Sequence, residues 1–127
     1  MIKYIYPFVW LGLIVFASLT PADKIPDFQL FAHADKVIHF CMYYGLAFLL
    51  VPVLLFKKNY YKSYILSLII SAIIGFLMEY FQLLMTHGRS ADFYDFLSDL
   101  AGSIIGIVIY HFTFRNKIWE KRFFKIE

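Results

Sequence analysis

The chain has 127 residues, of which 61% are hydrophobic and only 17% charged, with a net charge of +3. A soluble domain carries about 25% charged residues, and a chain this short has no water-facing core large enough to hide so much apolar surface. An ordinary soluble domain is excluded, and so is a nucleic-acid partner, because the basic residues flank apolar blocks instead of forming a patch.

The apolar residues fall into four blocks, each close to the roughly 20 residues that a helix needs to cross the ~30 Å hydrocarbon layer. Alternating strands of the outer-membrane type are absent from the sequence, so helices must satisfy the backbone in lipid. The expected fold class is all-α: a polytopic four-transmembrane-helix bundle in one membrane domain, residues 1–127. The first block is 4–19. Lys3 in front and Ala17 and Ser18 near its end give it the outline of a signal peptide. It is long for such a segment and three more blocks follow, so it reads as a span. The loop 20–36 holds Pro21, Pro26 and Asp27, which favour turns, and residues 28–32 have room for a short interfacial helix. The second block, 37–56, contains Cys41. It is the only cysteine, so no internal disulfide forms, and it reads as a small packing residue.

A short turn with Lys57, Lys58 and Lys62 leads to the third block, 63–85, with Tyr60, Tyr61 and Tyr64 at the interfacial depth that amphipathic rings favour. The loop 86–92 has Arg89 as its one Lys or Arg. The fourth block is 93–114, and a tail with Arg115, Lys117, Lys121, Arg122 and Lys125 interleaves Trp119, Phe123 and Phe124. That tail either lies on an anionic inner leaflet or is a plain positive anchor. Lys3, the turn at 57–62 and the tail share one side of a four-span bundle. The loop 20–36, with Asp23, Asp27 and Asp35 against Lys24 and Lys36, lies on the other. Lys and Arg prefer the cytoplasm, so both termini are expected inside.

Ionisable residues within spans are costly and face a bundle interior or a wet cavity. Lys36, His39 and Tyr43 fall at i, i+3, i+7 of the second helix, and Gly75, Glu79 and Gln82 at i, i+4, i+7 of the third. Asp92, Asp95, Asp99, Gly102 and Gly106 continue one face of the fourth. All of these polar groups come within about three turns of the outer surface, at about 5.4 Å per turn, and Gly102 with Gly106 permits close approach of another helix.

Each residue has a plainer alternative. Asp92 suits an N-cap and Asp95 the first helical turn. Arg89 suits an ion pair that holds the hairpin between the third and fourth helices. His39 and Tyr43 suit hydrogen-bonded packing. Glu79 and Asp99 have no interfacial explanation. His33 and His87 read as interfacial and His111 as an inner-end residue, without roles. Acids this close repel unless one takes a proton or a cation sits among them. His39, Glu79 and Asp95 form a weak metal set, with neither H-x-x-x-H nor H-E-x-x-H spacing, so no metal or cofactor is assigned.

Ser18 and Pro21 close the first span in an S-x-x-P element. Asp35, Lys36, His39, Phe40 and Tyr43 form D-K-x-x-H-F-x-x-Y, and Glu79 and Gln82 form E-x-x-Q. Arg89, Asp92, Asp95 and Gly102 match R-x-x-D-x-x-D-x-x-x-N-x-x-G. In this order and spacing the chain resembles the VanZ-like family of small bacterial membrane proteins over nearly its whole length. The resemblance implies four spans and multi-pass residence in the bacterial cytoplasmic membrane. It also implies a loose association with glycopeptide resistance, since the namesake is linked to reduced susceptibility to teicoplanin, a lipid-tailed antibiotic. It supplies no reaction. Asp99 departs from the pattern, which commonly has Asn there, and adds a negative charge.

Three functions fit. In the first, Lys36, His39, Tyr43, Glu79, Gln82, Arg89, Asp92, Asp95 and Asp99 line a pocket for a lipid-linked or amphiphilic molecule of the outer leaflet or cell envelope. In the second, His39 with Glu79 or Asp95 supplies acid–base catalysis on such a molecule; Ser18 and Ser98 carry no nucleophile signature. In the third, the charges lock the bundle of a small subunit of an envelope complex. The bilayer is the one partner the sequence names; protein partners, ligand identity and oligomeric state are not legible in it.

Overall fold

The computed structural model describes residues 2–21, 33–85 and 90–126. Five helices run in the order α1 (Ile2–Leu19), α2 (Ala34–Leu54), α3 (Tyr60–Met85), α4 (Phe93–Thr113) and α5 (Ile118–Phe124), with no strand among the described residues. The first four are each long and apolar enough to cross a membrane. α2 and α3 begin a turn before their apolar blocks, because the helix carries on through Asp35 and Lys36 and through Tyr60 and Tyr61. The helix expected at 28–32 and the residue Arg89 lie outside the described residues.

The distribution of side chains is inverted relative to a soluble protein. Phe8 and Phe16 are each 73% exposed, Phe112 67% and Phe76 62%, while Ser63, Ser67, Ser71, Ser103, His39, Glu79 and Asp99 are buried. Lipid tails are as apolar as Leu, so apolar groups gain little by turning inward, and helices pack instead through small and polar residues. Cys41 follows the same logic: it is exposed on α2 and is not the interior packing residue expected from its size.

Small residues set the helix contacts. On α3, Ser63, Ser67, Ser71, Gly75 and Glu79 recur every four residues and are all buried, which is one helical face. Ser67 Oγ donates to the Ala47 carbonyl at 2.8 Å and Ser63 Oγ to the Val51 carbonyl at 2.5 Å. Val51 lies in the last turn of α2, where carbonyls lose their helical donors. On α4, Gly102 and Gly106 lie against the backbone carbonyls of Phe40 and Tyr44, leaving no space for a Cβ. Trp10 of α1 spreads its indole over Gly45 and donates its Nε1–H to the Met42 carbonyl at 2.7 Å.

The tail is more than a surface anchor. α5 folds back so that Glu120 and Phe124 are buried, while Ile118, Trp119 and Phe123 remain exposed. Glu120 accepts hydrogen bonds from Tyr110 Oη at 2.6 Å, Tyr60 Oη at 2.7 Å and the Asn116 backbone N–H at 2.9 Å. Phe124 packs with Val51, Tyr60 and Tyr110, and its ring meets Tyr6 of α1 edge-on. This end, which gathers the start of α1, the end of α2, the start of α3 and the end of α4, is called the terminal end below. The opposite one is the loop end.

Candidate functional site: a charged cluster at the loop end

Three helices bring their ionisable side chains together at the loop end. Lys36, in the first turn of α2, reaches across to the start of α4. Its Nζ donates to Asp92 Oδ2 at 3.0 Å, Asp95 Oδ1 at 3.1 Å and the neighbouring Asp35 Oδ2 at 3.2 Å. One turn deeper, His39 Nδ1 lies 2.9 Å from Asp99 Oδ1 and 3.8 Å from Glu79 Oε1, and its Nε2 lies 3.9 Å from Asp95 Oδ2. Glu79 reaches from α3 and accepts the Asp92 backbone N–H on Oε2 at 3.1 Å.

The close α2–α4 contact makes this arrangement possible. Gly102 meets the backbone at Phe40, the neighbour of His39, and Asp99 stands three residues before Gly102 on the same face of α4. Gly75 leaves room for Asp99 in the same way: a Cβ there would lie 3.0 Å from Asp99 Oδ2 and 3.5 Å from Tyr43 Cε1. Tyr43, fully buried, therefore packs beside Asp99.

The cluster grades from water to interior. The Asp35 side chain is 56% exposed, Asp92 37%, Asp95 11% and Asp99 1%, so the cluster opens toward the loop end and closes toward the bundle centre. Asp92 has two roles, of which its position suggested the first. It caps α4, with Oδ1 accepting the Tyr94 N–H at 2.8 Å, and it binds Lys36 through Oδ2. The Lys36 ammonium first, and the Tyr94 N–H second, hold its carboxyl below the usual carboxylate range.

Among the described residues the cluster has five carboxylates (Asp35, Glu79, Asp92, Asp95 and Asp99) against Lys36 and His39. Some of its buried atoms are also unsatisfied: Glu79 Oε1, Asp99 Oδ2 and the Tyr43 hydroxyl have no hydrogen-bond partner among the described residues, nor has Ser71 Oγ one turn below Gly75.

Of the residues picked out by spacing, Lys36, His39, Glu79, Asp92, Asp95 and Asp99 meet directly, and Tyr43 adjoins them. Gln82 is buried and ties α3 to α1 by donating to the Ser18 carbonyl at 3.0 Å. Asp95 is not the closest carboxylate to His39. The tightest trio is His39, Glu79 and Asp99, with one donor atom of each within 4.8 Å of the others. Asp95 lies a turn nearer the surface, faces the other ring nitrogen and gives its second oxygen to Lys36. The Ser98 hydroxyl donates to the Tyr94 carbonyl and is exposed. His111 sits near the terminal end, with Nδ1 3.2 Å from Tyr64 Oη and 3.3 Å from Arg115 Nη1. Spacing did not single out Glu120 or the serines of α3; the four-residue recurrence from Ser63 to Glu79 is a signal that finds the serines.

No curated protein and no solved structure matches the chain. The family model described as VanZ/LLP1 matches residues 3–115. That match takes in the four long helices except Ile2, and every residue of the loop-end cluster, and the chain belongs to the VanZ/LLP1 family.

Proposed function

We propose that this multi-pass membrane protein recognises the polar head of an amphiphile of the outer leaflet or cell envelope at the loop-end cluster. The observation that carries the reading is the pair of buried carboxylate oxygens, Glu79 Oε1 and Asp99 Oδ2, without hydrogen-bond partners among the described residues. Such groups are expensive unless something else completes them. Support also comes from the exposure gradient, which leaves the cluster open at the loop end, and from the implied link of the family to a lipid-tailed antibiotic. The Lys and Arg asymmetry supports cytoplasmic termini, and hence an extracytoplasmic cluster, in a bacterial inner membrane. A reporter fused after Lys58 then reads cytoplasm and one at Asp27 reads the outside; cytoplasmic signal at Asp27 reverses the orientation.

The test compares teicoplanin susceptibility of cells expressing the wild-type chain, Lys36→Ala, His39→Ala or Glu79→Gln, together with melting of each purified protein. Recognition predicts that Lys36→Ala and His39→Ala lose the phenotype with nearly unchanged melting, and that the deeper Glu79→Gln shows some of both effects. A purely structural lock predicts destabilisation of roughly 3–5 kcal/mol in each, because the partner charge is left uncompensated. Wild-type phenotype in all three variants refutes recognition. The 2.9 Å contact between His39 and Asp99 favours a second reading, acid–base catalysis on the same amphiphile with Asp99 orienting the imidazole. Turnover of an envelope-lipid extract by purified protein distinguishes it.

A further inference from the structure

We infer that His39, Glu79 and Asp99 hold a divalent first-row transition-metal ion, of which Zn2+ and Mn2+ are the representatives to test. Three buried residues from three helices present one donor atom each, all within 4.8 Å of one another. The trio supplies one imidazole nitrogen and two carboxylate oxygens. Carboxylates alone suit Mg2+ or Ca2+, and an imidazole shifts the preference to transition metals.

Charge balance points the same way. With an imidazolium at His39, the two buried carboxylates of Glu79 and Asp99 leave one negative charge uncompensated in the trio. A dipositive ion with neutral His39 brings the trio to zero. Lys36 cannot serve instead, since its ammonium is already shared among Asp35, Asp92 and Asp95 nearer the surface.

The unsatisfied atoms are a separate observation. Glu79 is anchored through Oε2 by the Asp92 N–H, leaving Oε1 directed at His39 Nδ1. Asp99 Oδ2 lacks a partner as well, and Tyr43, whose buried hydroxyl is not one of the acids, packs beside it with no partner among the described residues. An ion bound by Nδ1, Oε1 and Asp99 replaces the hydrogen bond between Nδ1 and Oδ1, completes Glu79, and completes Asp99 when both of its oxygens bind. Coordination through Nδ1 puts the ring proton on Nε2, which faces Asp95 Oδ2 at 3.9 Å. A carboxylate hydrogen-bonded to the second nitrogen is the usual support of a metal-bound histidine; Asp95, held by Lys36, stands on that side but beyond hydrogen-bond length. An ion here also changes what the cluster accepts: an acid-rich cleft gains a cationic centre for an anionic headgroup. That last step rests on the amphiphile reading, whereas the ion itself does not.

The experiment strips purified full-length protein in detergent with EDTA, dialyses it against Zn2+ or Mn2+ alone, and counts metal per chain. The expected result is one ion per wild-type chain, with affinity reduced more than tenfold in His39→Gln, Glu79→Gln and Asp99→Asn. Glu120→Gln, a buried carboxylate at the other end of the bundle, retains wild-type binding. X-ray absorption of the Zn2+-loaded wild type, which needs no variant to fold, should show nitrogen and oxygen ligands with one imidazole. Absence of stoichiometric metal in the wild type with both ions, binding that survives all three substitutions, or a shell without imidazole overturns the inference. Teicoplanin dependence on Lys36 that persists in metal-free protein overturns the ion's role in recognition and leaves recognition itself standing.

Discussion

Replacing Gly102 with alanine tests the packing that assembles the cluster. A Cβ at Gly102 would press on the carbonyl oxygen of Phe40, with the carbonyl carbon at 3.0 Å and Cα at 3.1 Å. Ordinary carbon–carbon contact is about 3.5–4.0 Å, and these are backbone atoms that cannot rotate aside, so α4 must move from α2 by about 0.5–1 Å to restore it. Overpacking of this kind costs about 1–3 kcal/mol, and the better helix propensity of alanine returns about 0.5–1 kcal/mol. The expected net loss is thus about 0–2.5 kcal/mol. Gly106 meets Tyr44 in the same way, with the carbonyl carbon at 3.2 Å and Cα at 3.3 Å. One displacement of α4 relieves both collisions, so the double substitution should cost less than the sum of the singles. Gly12 is the control, since a Cβ there meets nothing within 4 Å, and Gly12→Ala should be neutral or slightly stabilising. Reversible unfolding in mixed detergent micelles measures all four proteins. The contacts of Lys36 with Asp95 and of His39 with Asp99 cross the same interface, so Gly102→Ala should also weaken whatever function the cluster has. Equal stability of Gly102→Ala and Gly12→Ala would refute the claim that backbone contact at Gly102 sets the spacing of α2 and α4.

Two more outcomes follow from the described contacts. Glu120→Ala takes the acceptor from the Tyr110 hydroxyl and the Asn116 N–H and leaves Tyr60 only Asn116 Oδ1 at 3.1 Å, so it should destabilise the protein by about 2–4 kcal/mol and alter Trp119 fluorescence as α5 detaches; unchanged melting would remove α5 from the stable core. Asp92 has a folded-state pKa below the ordinary value, held down by Lys36 and the Tyr94 N–H. Its contribution is therefore full above the unfolded value of about 3.9 and is lost as pH falls through the lower folded value. Melting of the wild type should fall faster than that of Asp92→Asn as pH drops below about 4, and parallel curves would contradict the assignment.

Much of this architecture is legible in the sequence because lipid is a strict solvent. Four apolar blocks mark the spans, and charges that no block can leave facing acyl chains must converge. The spacing of Lys36 and His39, and of Asp92, Asp95 and Asp99, fixes their faces. What spacing leaves open is rotation. Asp95 and Asp99 share a face one turn apart, and only the α2–α4 contact at Gly102 decides that Asp99 meets His39 Nδ1 while Asp95 meets Lys36. Glu120 is illegible for another reason. A single acid among Lys117, Lys121 and Arg122 reads as a solvated charge, and the hydroxyls that bury it belong to residues 60 and 10 positions away in the chain.

Glu120 also provides a comparison within the same molecule. It is 3% exposed, Glu79 6% and Asp99 1%, so all three carboxylates are interior. At Glu120 both oxygens are satisfied, Oε1 by Tyr110 and Oε2 by Tyr60 and Asn116. This is the form taken by a carboxylate that only holds helices together: each oxygen meets at least one donor, and no unsatisfied oxygen raises the cost of burial. At the loop end each of two carboxylates is secured through one oxygen and leaves the other without a hydrogen-bond partner among the described residues. A bundle that completes a buried glutamate from three donors at one end leaves two acids incomplete among the described residues at the other. Ser103 donates to the Asp99 backbone carbonyl, and Ser71 has no hydrogen-bond partner among the described residues. The contrast weighs against a purely structural lock made by the described residues of the loop end alone.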